Sequence, residues 1–65
     1  MKLIVNGERI DSATATVGAL LGELKLMRER VAVEVNLRII SKKDYDTCQI
    51  SDGDQIEIVN FVGGG

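Results

Sequence analysis

Apolar residues recur at Val17, Leu20, Leu21 and Leu24, the i, i+3, i+4 and i+7 positions of one helical stripe, and no other stretch of the chain repeats that spacing. A lone amphipathic helix must bury its stripe against something flat. Short alternating runs on either side can provide that surface. "KLIVNGERID" reads as two extended segments joined at Asn6-Gly7, a dipeptide that accepts the positive φ of a tight hairpin turn. In "VAVEVN", Val31, Val33 and Val35 fall on one face and Ala32 and Glu34 on the other. "QIEIVNF" alternates in the same way, with Ile56 and Ile58 on one face and Glu57, Val59 and Phe61 opposite. "RII" reads as a further short strand turned at Asn36-Leu37, and "SDGD" as a turn with Gly53 at positive φ.

Two separate hairpins would leave the helix stripe uncovered, whereas one mixed sheet wrapped across it would not. Leu3, Val5, Val31, Val33, Val35, Ile56 and Ile58 would then meet Val17, Leu20, Leu21 and Leu24. The expected architecture is α+β, a ubiquitin-like β-grasp with a mixed sheet of four to five strands on one main helix and a flexible C-terminal tail. Residues 1–60 form the domain and 61–65 the tail. A split βαβ sandwich would need a second helix that the sequence lacks. Thr16 is placed to cap the helix. Gly18 and Gly22 weaken it by up to about 1 kcal/mol each, so close packing on the sheet is the expected use of those small residues. "MRER" is a charged connection and "SKKDYDTCQ" an irregular turn or short helix, with Tyr45 as its partly buried anchor.

Composition removes most chemistries. Tyr45 and Phe61 are the only aromatic residues, so the core is aliphatic. There is no histidine, and Cys48 is the single cysteine, which rules out an intrachain disulfide and the usual soft-metal ligand sets. The chain reads as cytoplasmic and metal-free, without a signal peptide or an apolar run long enough to span a bilayer. No catalytic base stands ready for a serine or cysteine nucleophile, and Cys48 reads as structural. Asp52 and Asp54 flank a turn glycine and lack the ligand count of a calcium loop. "VGALLG" has no phosphate-loop lysine. Basic patches with interleaved aromatics are absent, so neither nucleic acid nor membrane is an expected partner.

The charge is uneven along the chain. Residues 1–43 hold all 8 Lys and Arg, whereas the remainder carries Asp44, Asp46, Asp52, Asp54 and Glu57 without a base. An acidic terminal third favours a basic protein surface as partner, although a solvated acidic face accounts for the same residues.

What remains is "VGGG". Gly63, Gly64 and Gly65 need only backbone room, so they could thread a channel too narrow for side chains and leave the Gly65 carboxylate open to reaction. A tail of this kind suits a substrate, not a catalyst. A frayed terminus would show the same three glycines.

"MKLIVNGERI", the helix stripe, "VAVEVN", "ISDGDQIEIV" and the final Gly64-Gly65 together resemble the ThiS family of sulfur-carrier proteins in thiamine biosynthesis. Two positions depart from that pattern. Leu37-Arg38 follow Asn36 where the family typically has Gly-Glu, and Ser41 stands where it often has proline.

The resemblance implies that an E1-like adenylyltransferase, using ATP, adenylates the Gly65 carboxylate. A persulfide from a cysteine desulfurase then displaces AMP, and the resulting thiocarboxylate gives its sulfur to thiazole synthase. On this reading the chain binds no cofactor and is not itself an enzyme. Strand parity leaves Val59 and Phe61, with Ile4 on the first strand, facing away from the core as a candidate docking patch, and Val62 joins Phe61 at the entrance of the tail. The small subunit of molybdopterin synthase, a ubiquitin-like protein modifier and a β-grasp interaction module are the competing assignments.

Overall fold

Asn6 and Gly7 take φ of 50° and 83°, the paired positive values of a hairpin turn whose twist matches the strands it joins. Those strands are β1 (Lys2–Val5) and β2 (Glu8–Asp11), antiparallel with Leu3 opposite Ile10. The computed structural model describes residues 1–61. Helix α1 (Val17–Glu23) follows, and the Thr16 hydroxyl accepts from the Ala19 amide at 3.2 Å, as its capping role requires. A 3-10 turn at Arg28–Arg30 leads into β3 (Val31–Val35), which pairs with β4 (Arg38–Ile40). A second 3-10 turn (Lys42–Asp44) precedes the closing β5 (Gln55–Asn60).

The sheet order is β2-β1-β5-β3-β4. β5 lies in the middle, parallel to β1 and antiparallel to β3. This is the expected β-grasp, a mixed five-stranded sheet on one helix. Asn6 reinforces its centre, because its side-chain carbonyl accepts from the Ile58 amide at 2.7 Å while its amide donates to the Ile58 carbonyl at 3.1 Å. That pair extends the β1–β5 ladder past the end of β1.

Leu3, Val31, Val33, Val35, Ile56 and Ile58 from the sheet meet Val17, Leu20 and Leu21 from the helix in one core, with Val5 and Leu24 half-buried at its margin. Three features depart from the sequence expectation. Tyr45 is fully buried, 1% exposed, and not a partly buried anchor; Ile50 joins it in the core. Gly18 makes its close approach to the 41–50 segment and not to the sheet. Its amide donates to the Tyr45 carbonyl at 2.8 Å, and a Cβ there would collide with the Arg28 and Asp46 side chains, while Gly22 faces open space. β5 ends at Asn60, one residue before Phe61.

Leu37 occupies the left-handed region at φ 70° with its side chain 86% exposed. That backbone costs an L-residue roughly 1–2 kcal/mol, against about 0.5–1 kcal/mol of ordering entropy for glycine. Leu37→Gly should therefore raise stability by about 0.5–1 kcal/mol, or roughly 4–7 °C in Tm for a domain of this size. An unchanged or lower Tm in a calorimetric scan would refute the strain argument.

Candidate functional site

β5 is the central strand, paired with β1 near its start and with β3 up to Asn60, so the chain leaves the sheet against β3. Beyond Asn60 the Phe61 amide donates to the Arg30 carbonyl at 2.6 Å. The Lys42 ammonium donates to the neighbouring Glu29 carbonyl at 2.9 Å and stands 5.4 Å from the centre of the Phe61 ring. The Tyr45 hydroxyl donates to the next carbonyl, Val31, at 3.2 Å. Three successive carbonyls thus tie the last described residue, the 3-10 turn of Lys42 and the buried tyrosine together. Burial pushes the Tyr45 phenol above its usual range.

A second clamp holds the same segment. Arg28 donates to both carboxylate oxygens of Asp46, at 2.6 and 2.9 Å. That hydrogen-bonded pairing, with the guanidinium charge behind it, keeps the Asp46 carboxyl below the ordinary carboxylate range.

Charge in space does not follow charge in sequence. Asp52 accepts from the Lys2 amide, and Asp54 from the Ser51 amide and the Asn36 side chain. Both sit before β5 begins, and a six-residue strand covers about 20 Å. The root of the tail is instead bordered by Lys42 and by the Arg28–Arg30 turn. The acidic terminal third of the sequence is thus divided between the start of β5 and the 41–50 segment, where Asp46 pairs with Arg28.

The sheet face turned away from α1 carries the rest of the candidate patch. Val59 lies opposite Ala32 and is 60% exposed; Ile4, opposite Arg9 and Gln55, is half-buried. Phe61 is 51% exposed, and its ring faces Lys42 past the end of the strand ladder. Val62, Gly63, Gly64 and Gly65 lie outside the described residues.

Sequence reasoning missed Ile39, which is 79% exposed opposite Glu34. A three-residue run has no parity of its own, and only the register with β3 assigns Ile39 to a face. Glu34 also faces Glu57 directly across β3 and β5. Like charges in that position repel, so the middle of this face gains from an approaching cation.

Among the described residues no helix is long and apolar enough to cross a membrane, and no three of Cys, Asp and Glu gather as a metal-binding group. Cys48 is free and half-buried. Its carbonyl accepts from the Val17 amide, which ties the 41–50 segment to the start of α1. The described residues therefore form a scaffold with an exposed sheet face and an anchored exit for the chain.

A model of the ThiS family matches residues 3–65. The chain is similar to the sulfur carrier protein ThiS of Bacillus subtilis, 46% identical over 52 residues that cover 80% of this chain and 79% of that protein. It is also 54% identical over 66 residues to a thiazole synthase of Paramagnetospirillum magneticum, a match that takes in all of this chain but spans only 20% of that longer protein. Among solved structures, the thiamine biosynthesis protein ThiS from Geobacter metallireducens superposes with a TM-score of 0.83 at 36% identity, each chain covered in full.

Proposed function

The chain belongs to the ThiS family, and from that membership we propose that it is a sulfur carrier for thiazole formation in thiamine biosynthesis, acting through the carboxylate of Gly65. The observation that carries the proposal is the reach of the family match, which runs through the fold to the final glycines.

The chemistry follows from the weakness of a carboxylate as an electrophile. An E1-like adenylyltransferase lets one Gly65 oxygen attack the α-phosphorus of ATP, which releases pyrophosphate and leaves a mixed anhydride. AMP is then a good leaving group. A protein persulfide, charged by a cysteine desulfurase, attacks the carbonyl carbon and displaces it. Attack by a second thiol on the resulting acyl disulfide frees the thiocarboxylate, whose sulfur passes to thiazole synthase. The carrier supplies no acid or base; its part is to deliver the terminus, with Gly63 and Gly64 as the thread and Phe61 and Val62 at the entrance. The relatives named thiazole synthase support that enzyme as the acceptor. The same family match favours this pathway over molybdopterin synthesis.

Intact mass spectrometry tests the reading. After incubation with ATP, a sulfide source and the adenylating enzyme, the chain should gain the mass difference between sulfur and oxygen. A mass that stays constant under those conditions would sink it.

Docking to the adenylating enzyme is assigned to the outer sheet face, where Ile4, Val59 and Phe61 are joined by Ile39. Val59→Asp should weaken that complex about tenfold by placing a charge among apolar contacts, while the added repulsion from Glu57 and Glu34 lowers Tm by only a few degrees. Titration calorimetry showing the parental affinity would move the docking surface elsewhere.

A further inference from the structure

We propose that Lys42 is a positioning residue for the tail: its ammonium holds Phe61 and so fixes the point from which the last four residues reach toward a partner's active site. This rests on the sulfur-carrier reading above and adds to it a group that none of the sequence motifs singles out.

Lys42 is not a free surface cation. Its backbone opens the 3-10 turn that ends on Tyr45, and the Tyr45 amide donates back to the Lys42 carbonyl at 3.2 Å. Because Tyr45 is buried and bonded to the Val31 carbonyl, the base of the lysine is fixed to the strand that β5 pairs with. Its far end is fixed as well. The ammonium lies 2.9 Å from the Glu29 carbonyl and 5.4 Å from the centre of the Phe61 ring, within the range at which a cation is attracted to an aromatic face. The Phe61 amide meanwhile bonds to Arg30, the residue after Glu29. One short stretch of backbone therefore holds the lysine and the phenylalanine together, and the lysine closes over the ring.

The consequence for delivery is geometric. Four residues beyond Phe61 extend at most about 14 Å. A rotation at the root would swing the terminus through much of that distance, whereas reaction needs the carboxylate within about 3.5 Å of its target. Holding Phe61 raises the fraction of chains that enter the channel correctly, and a lower competent fraction appears as a proportionally higher apparent dissociation constant.

Lys42→Met keeps the apolar stem and removes the ammonium; Lys42→Arg restores a cation able to bond the carbonyl and stack on the ring. In Lys42→Met the Phe61 amide should exchange with solvent about two- to fivefold faster while the Ile58 amide is unchanged. The KM for the carrier in adenylation should rise about two- to fourfold at constant kcat. Lys42→Arg should return both to the parental values.

Unchanged exchange at Phe61, equal acceleration at Ile58, or an unaltered KM despite faster exchange would each overturn the proposal. A wild-type chain that is never adenylated would instead remove the carrier reading and the positioning role with it, and the exchange data would show that outcome to be separate from a missing Lys42–Phe61 contact.

Discussion

A chain shortened by Gly65 should be adenylated at least about 100-fold more slowly than the parent while unfolding at the same temperature, because the loss is one of reach and not of chemistry. The shortened chain still ends on a glycine carboxylate, with the same nucleophilicity and the same freedom from side chains. What changes is that this carboxylate stops about 3.5 Å short, one extended residue. Reacting atoms must stand about 3–3.5 Å apart, and even a 1 Å misplacement can cost about 100-fold. No compensation is available from the root, since Phe61 is bonded to Arg30 and packed under Lys42. Stability should be untouched because the core runs from Leu3 to Ile58. Pyrophosphate release follows the first half-reaction, and intact mass the sulfur uptake. Loading of the shortened chain at the parental rate would contradict the assignment of Gly65, and loading of a chain with one glycine added at that rate would contradict a channel of fixed depth.

The fold was legible where side chains obey a period. Val31, Val33 and Val35 announce a strand with one buried face, and Val17, Leu20 and Leu21 a helix, because each pattern places apolar atoms on one side whatever the partner. Asn6-Gly7 and Gly53 give turns by the same local logic, all with the positive φ that their residues permit. The segment 41–50 was legible as an irregular turn or short helix, which is the 3-10 turn Lys42–Asp44, but not as a part of the core. Its contribution is one buried ring and one buried isoleucine among polar residues, Tyr45 and Ile50, and two points set no period.

The same limit applies to the site. Parity correctly turned Val59 away from the core, but Ile39 needed the β3–β4 register, and Lys42 needed the carbonyl of Glu29 and the ring of Phe61, partners 13 and 19 positions away in sequence. The linear charge count has the same limit, because it does not show that Asp52 and Asp54 bond at the start of β5 while Asp46 pairs with Arg28.

The buried ring of the irregular segment should have the largest effect on stability, as removal of Gly65 should have on adenylation. Truncation of a buried aromatic to alanine costs about 3–5 kcal/mol, and a domain of 65 residues has only about 3–10 kcal/mol in all. Tyr45→Ala should accordingly lose at least about a third of that stability, an effect read directly by thermal circular dichroism or urea titration. Tyr45→Phe separates the packing from the hydroxyl. It keeps the ring and removes only the donor to the Val31 carbonyl, which should cost about 1 kcal/mol. Alkaline titration gives an independent check on burial. Since burial raises the phenol above its usual value near 10.0, its contribution is complete below that pH and is lost as pH climbs through the raised value. The parent should therefore weaken above about pH 10 in a limb that Tyr45→Phe lacks. If Tyr45→Ala instead melts within a few degrees of the parent, the 41–50 segment is not part of the cooperative core. The tail root would then rest on β3 alone, and Lys42 would lack the fixed base from which it holds Phe61.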